Sequence, residues 1–164
     1  MNIRIICLGK IKEQSLAALI DEYKKRITKY ANIEIIELAD ESVPTNPSEK
    51  DILNIKKLEA NKIKSKIHPT DFVISLDQYG KQLTSEELSD KIQDITLKGF
   101  STIDFVIGGT TGLDKELVAN SNMVLSFSKL TFPHQLIRLF LSEQIFRAFK
   151  IINNEKYHWW SIFY

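Results

Sequence analysis

Short apolar runs alternate along this chain with segments in which apolar residues recur every three or four positions. Ile3 to Leu8 is the first run and stops at Gly9, after which Leu16, Leu19, Ile20, Tyr23 and Ile27 share one face of a helix. Ile33 to Leu38 is the second run. A polar loop with two prolines, Asp40 to Ser48, leads to a helix marked by Ile52, Ile55, Leu58 and Ile63 that ends near His68 and Pro69. Phe72 to Leu76 reads as a third strand. Thr84 and Glu87 form a capping box for a helix carrying Leu88, Ile92 and Ile95, closed by Gly99. Ile103 to Ile107 and Met123 to Phe127 complete five strands, with a short helix over about Lys115 to Asn120 between them. Continuous apolar strands separated by helices predict a single-domain α/β fold, a parallel sheet with helices on both faces.

The last helix, predicted from Pro133 to Lys150, is too apolar for a single buried stripe. Leu136, Ile137, Leu139, Phe140, Leu141, Ile145, Phe146 and Phe149 surround more than one face. The pattern predicts burial both by the sheet and by a second subunit, hence a homodimer.

At 164 residues and 43% hydrophobic, the chain suits one domain with an adequate core. No apolar run is long enough to span a bilayer, and the start, Met1 to Ile6, has the pattern of a strand and not of a signal peptide. A cytoplasmic protein without membrane contact is the expectation. The single Cys7 sits inside the first apolar run and is expected to be a small buried hydrophobe. No His, Cys or carboxylate cluster has metal-ligand spacing. The net charge of +1 argues against a strongly basic nucleic-acid binder, but its distribution is uneven. Residues 126–158 carry Lys129, Arg138, Arg147, Lys150 and Lys156 against only Glu143 and Glu155, a balance of +3 that leaves −2 for the rest. A locally basic end is compatible with a phosphate-contacting surface and equally with solvated helix faces.

Two segments carry the candidate chemistry. The run ending at Ile107 opens into Gly108-Gly109-Thr110-Thr111-Gly112, and the run ending at Phe127 opens into Ser128-Lys129-Leu130-Thr131-Phe132 before Pro133 starts the long helix. Two neighbouring strand ends opening at one edge are the usual place for a site in a parallel sheet. The glycines match neither the dinucleotide fingerprint nor a phosphate-binding loop with its lysine. Taken alone, they serve equally well as a tight strand-to-helix turn.

Together with Glu143-Gln144-Ile145-Phe146-Arg147-Ala148-Phe149 and the late Tyr157-His158, these segments resemble the RlmH family, SPOUT-class methyltransferases of a pseudouridine in bacterial 23S ribosomal RNA. The resemblance runs from Ile3 to His158 and is most specific from Leu125 to Phe149. It implies a methyltransferase domain over residues 1–158, with a trefoil knot formed where the C-terminal chain passes through a loop. The implied cofactor is S-adenosylmethionine, a sulfonium cation with an adenine and no phosphates. Such a ligand calls for backbone groups and apolar walls more than for an anion cradle. Its implied contacts are Leu76, Gly108, Gly109 and the stretch Phe127, Ser128, Lys129, Leu130, Thr131 and Phe132. The implied partner is 23S ribosomal RNA in the large subunit or the 70S ribosome.

For the reaction, methylation of an imide nitrogen requires loss of a proton. Arg147 is the candidate to stabilise the developing anion, with Tyr157, His158 and His134 as further catalytic candidates; an ion pair between Arg147 and Glu143, four positions earlier, is the plainer alternative. His134 would otherwise be an exposed residue of a helix's first turn. Arg138 and Lys129 are the candidate RNA contacts. Two departures from the family pattern stand out. Thr110 follows the paired glycines where a serine is common, and residues 159–164, Trp159-Trp160-Ser161-Ile162-Phe163-Tyr164, form an atypical apolar extension after His158. A non-catalytic RNA- or ribosome-binding module with the same fold is the alternative function, and a flavodoxin-like small-ligand domain is a third.

Overall fold

The computed structural model describes residues 1–157; His158 and the extension 159–164 lie outside the described residues. In chain order the elements are β1 (Asn2–Leu8), α1 (Gln14–Ile27), β2 (Asn32–Leu38), α2 (Glu49–Lys64), β3 (Phe72–Gln82), α3 (Ser85–Leu97), β4 (Thr102–Ile107), α4 (Lys115–Ala119), β5 (Met123–Ser126) and α5 (His134–Ile152). The five strands form one all-parallel sheet in the order β2-β1-β4-β3-β5. A flavodoxin-like sheet runs 2-1-3-4-5, so the strand order rules out that third reading.

Alternate residues of each central strand point to opposite faces, and each face has its own helices. Ile3, Ile5 and Cys7 of β1, Ile74 of β3 and Phe105 of β4 pack with Ile27 of α1, Ile92 and Ile95 of α3, and Leu141 and Ile145 of α5. On the other face Ile6, Leu8, Val73 and Val106 pack with Ala60 and Ile63 of α2 and Leu117 of α4. Cys7 is fully buried, as its place in an apolar run implies, and desolvation pushes its thiol up to about 11. The helix starts are set locally. Thr84 and Glu87 exchange capping hydrogen bonds at α3, and Ser48 and Asp51 do the same at α2. At the N-terminal edge of the sheet, Arg4 bridges Asp71 at 2.6 Å and Asp104 at 2.7 Å; burial, foremost, raises the Asp104 pKa.

β3 does not end at Leu76. It runs to Gln82, and both Leu76 and Lys81 pair with Leu125 of β5, so the residues between them bulge out of the ladder. Gly80 is required there, because a Cβ on it would come 2.7 Å from the Leu125 carbonyl carbon and 2.8 Å from that of Val124. The chain thus folds against β5 where the sequence suggests only a strand end.

Candidate functional site

The site is built at the C-terminal ends of β4, β3 and β5. β3 stands between the other two in the sheet, so the glycine loop after β4 and the hydroxyl-rich loop after β5 are not neighbours. They face one another across the end of β3. The glycine loop is a tight turn: Gly112 N–H donates to the Gly109 carbonyl at 3.1 Å, and Gly112 has φ +78, a conformation that favours glycine. An added Cβ at Gly108 would lie 2.9 Å from the Gly112 carbonyl carbon and the Leu113 nitrogen. At Gly109 it would meet only Glu59 and Leu8, at an ordinary 3.5 Å. Gly108 and Gly112 are therefore required by the turn itself.

The second wall is the loop after β5. The Ser126 hydroxyl donates to the Ser128 carbonyl at 2.9 Å, and the Leu130 N–H to the Ser128 hydroxyl at 3.0 Å, which curls the loop back toward α5. The third wall is the β3 bulge, where the Tyr79 N–H donates to the Asp77 carboxylate at 2.9 Å. Between the three walls lies a cleft of about 410 Å³. Leu76, Gly108, Gly109, Phe127, Ser128, Leu130, Thr131 and Phe132, eight residues of the expected cofactor set, line it, and so does His134. Burial and, after it, the Arg138 charge hold the His134 imidazole below its usual pKa, so it is neutral at pH 7.

Lys129 is not among the residues lining this cleft. It is exposed and faces a second cleft beyond the β3 bulge. Arg138, expected to meet RNA phosphate, is fully buried. Its guanidinium donates to the Leu8 carbonyl, to the Gly9 carbonyl at 2.9 Å and to the Glu37 carboxylate at 3.0 Å, joining α5 to the ends of β1 and β2. A group so enclosed cannot reach a phosphate, and its work is structural. Arg147 pairs with Glu143 at 2.5 Å and lies over the Tyr157 ring with its guanidinium carbon 4.8 Å from the centroid; the Tyr157 hydroxyl donates to Glu143 at 3.3 Å. Burial, above all, raises the Tyr157 pKa, keeping the phenol neutral. His134 and Arg147 lie 13 positions apart on α5, about 20 Å along the axis, so one chain does not bring them together.

Several lining residues gave no sequence signal. Lys56 reaches the cleft from α2, while Asp77, Gln78 and Tyr79 reach it on the bulge. Glu59 of α2 sits behind Gly109, almost wholly buried. One of its oxygens accepts the Glu41 N–H at 3.0 Å, and the other has no hydrogen-bond partner among the described residues. Burial raises its pKa. Among the described residues no group of three or more His, Cys, Asp or Glu is arranged to hold a metal ion, and no helix is long and apolar enough to cross a membrane.

The chain has clear relatives among known proteins. The family model described as "Predicted SPOUT methyltransferase" matches residues 1–158. The chain is 53% identical over 158 residues to the ribosomal RNA large subunit methyltransferase H of Clostridium novyi, and 54% identical to that of a Clostridium botulinum strain; each match covers 96% of this chain and 99% of the relative. It is 50% identical, over the same shares, to a putative ribosomal RNA large subunit methyltransferase H of Methanococcus maripaludis. A probable methylase family protein from Haemophilus influenzae has a similar fold, with a TM-score of 0.53 at 14% identity, covering 94% of this chain and 69% of that one. With a family model matched over nearly the whole chain and relatives at half identity across their full length, this chain belongs to the SPOUT methyltransferase family.

Proposed function

We propose that this protein transfers a methyl group from S-adenosylmethionine to N3 of a pseudouridine in 23S ribosomal RNA, on the large subunit or the 70S ribosome, in the cytoplasm. The observation that carries the reading is the single cleft in which the glycine loop, the end of β3 and the hydroxyl-rich loop meet. Its chemistry fits the cofactor. Leu76, Ile107, Leu113 and Leu125 give apolar walls for an adenine, the turn offers backbone groups, and Asp77 offers a carboxylate to a cationic ligand. Among the described residues Lys56 is the only lysine lining the cleft, too little for a triphosphate. When bound, S-adenosylmethionine supplies a methyl group already activated by its sulfonium, and the chain's own task is to orient the acceptor and manage its proton. His134 is neutral and can accept that proton, and Arg147 can stabilise the imide anion that its loss creates.

The distance of about 20 Å between His134 and Arg147 supports a homodimer in which one copy's Arg147 and Tyr157 complete the cleft of the other. The surface for it is present: Leu130, Phe132, Leu136 and Phe140 are exposed on the loop after β5 and the adjoining part of α5, with the Phe132 and Phe140 rings edge to face at 5.6 Å. The trefoil knot belongs to the same proposal. Calorimetry with S-adenosylmethionine tests it. Binding of one equivalent per chain is expected, followed by label transfer from methyl-labelled cofactor to ribosomes that lack the modification. A protein that binds no S-adenosylmethionine would instead be a ribosome-binding module.

A further inference from the structure

A second cleft, of about 620 Å³, lies on the far side of the β3 bulge from the donor cleft. Gln78, Tyr79, Gly80, Gln82 and Lys129 line it, and Gln78 and Tyr79 line both clefts. The bulge between them is held firmly. Gly80 lies against the backbone of β5 with no room for a Cβ, and the Asp77 carboxylate takes the Tyr79 N–H. On this fixed backbone the Tyr79 side chain is 88% exposed. An aromatic ring presented on a fixed backbone beside a donor cleft offers a flat face on which a second planar group can stack.

The chemistry of the lining narrows what that is. It offers one ring face, two amide side chains that each carry donors and an acceptor, and one exposed ammonium, with no carboxylate among the described residues. An apolar helix from a second copy would leave the amides and the lysine unmatched, and the exposed apolar residues suited to a second copy are Leu130, Phe132, Leu136 and Phe140 instead. Single-stranded RNA offers what this lining can match: a base with a π-face, an edge with donors and acceptors, and a phosphate. We propose that this cleft is a nucleotide subsite, in which a base flanking the methylated one stacks on Tyr79 while Gln78 and Gln82 meet its edge and Lys129 meets its phosphate. Because Tyr79 forms the ridge between the clefts, the stacked base sits next to the acceptor and helps set its position.

The inference rests on the proposed RNA methylation, and the test separates the two. Methylation of ribosomes that lack the modification is measured for the wild type, Tyr79→Ala, Tyr79→Trp and Gln82→Ala, alongside S-adenosylmethionine affinity and mass by light scattering. Tyr79→Ala is expected to raise KM for ribosomes on the order of tenfold, as loss of one base stack does, with mass unchanged, and Tyr79→Trp to restore it; Gln82→Ala, at a position that lines the second cleft alone, is expected to raise KM with donor affinity unchanged. An unchanged KM in Tyr79→Ala overturns the subsite, as does failure of Trp to restore it. A change of mass in Tyr79→Ala also overturns it, because the ring would then be covered by a second copy. A wild type that neither binds the donor nor modifies ribosomes overturns the methylation reading itself.

Discussion

The Arg138 guanidinium donates to the Glu37 carboxylate at 3.0 Å across 101 positions of sequence, and of the two side chains the arginine's is the one wholly removed from water. The same guanidinium serves the backbone carbonyls of Leu8 and Gly9. Removing it strands two buried carbonyl acceptors, while the partly exposed Glu37 carboxylate can still turn to water. Arg138→Ala should therefore destabilise the protein by about 1–3 kcal/mol in urea unfolding. A loss below about 1 kcal/mol would mean that water replaces the guanidinium, and Arg138 would return as a candidate for contact with RNA.

The glycines of the loop after β4 separate into two kinds. A Cβ at Gly108 meets backbone atoms at 2.9 Å, whereas at Gly109 it meets Glu59 and Leu8 at 3.5 Å. Gly108→Ala is expected to lower the melting temperature clearly, and Gly109→Ala to leave it within a degree or two. Differential scanning calorimetry of the pair decides. Equal losses would show that the turn shifts as a unit.

The His134 imidazole is held below the usual 6.5 by burial and by Arg138, opposed by the nearby Asp40 carboxylate. The folded state favours the neutral ring, so protonation opposes folding, and stability falls as pH drops below 6.5. If His134 accepts the proton of the imide, kcat/KM falls at the lower end of this range, where the ring of the folded enzyme itself becomes charged. A pH–rate profile of His134→Gln should lack that acidic limb. Persistence of the limb would assign it to another group.

Much of the fold is legible in the chain because β1, β4 and the first half of β3 are buried on both faces and therefore read as mainly apolar runs. The two walls formed by the loops after β4 and β5 are legible for a related reason: each begins where such a run stops. The bulge is not, since Asp77 to Gly80 is polar and glycine-bearing like any strand end, and what extends β3 is pairing with β5 more than 40 positions away. Arg138 misleads because α5 is apolar nearly all round. Periodicity does not say which stripe faces inward, and a lone charge on such a helix suggests water.

Arg147 is gripped by Glu143 and capped by the Tyr157 ring, which fixes the guanidinium for a directional role. Arg147→Ala should lower kcat on the order of a hundredfold or more with S-adenosylmethionine affinity little changed, as loss of a preorganised donor does. Glu143→Gln, which keeps the shape and weakens the grip, should fall between. Loss of donor affinity in step with kcat would make the pair a scaffold only.

The exposed apolar residues Leu130, Phe132, Leu136 and Phe140 lie together on the loop after β5 and the start of α5, where a second copy could cover them. Light scattering at micromolar protein should report about twice the 18.9 kDa chain mass. If one copy's Arg147 serves the other's cleft, mixing Arg147→Ala chains with chains disabled at His134 should restore part of the activity that neither has alone. A monomer with full methyl transfer would sink the shared site.

The hydrogen bonds from Arg138 to Leu8 and Gly9 span 130 and 129 positions. They join β1 to α5, so the end of β1 stays incomplete until that helix docks. The cleft depends on the same event, because α5 also carries His134. Any partly folded state in which α5 is undocked has therefore lost one wall of the cleft along with the partners of its buried guanidinium, and folding of the chain and assembly of the site are one event.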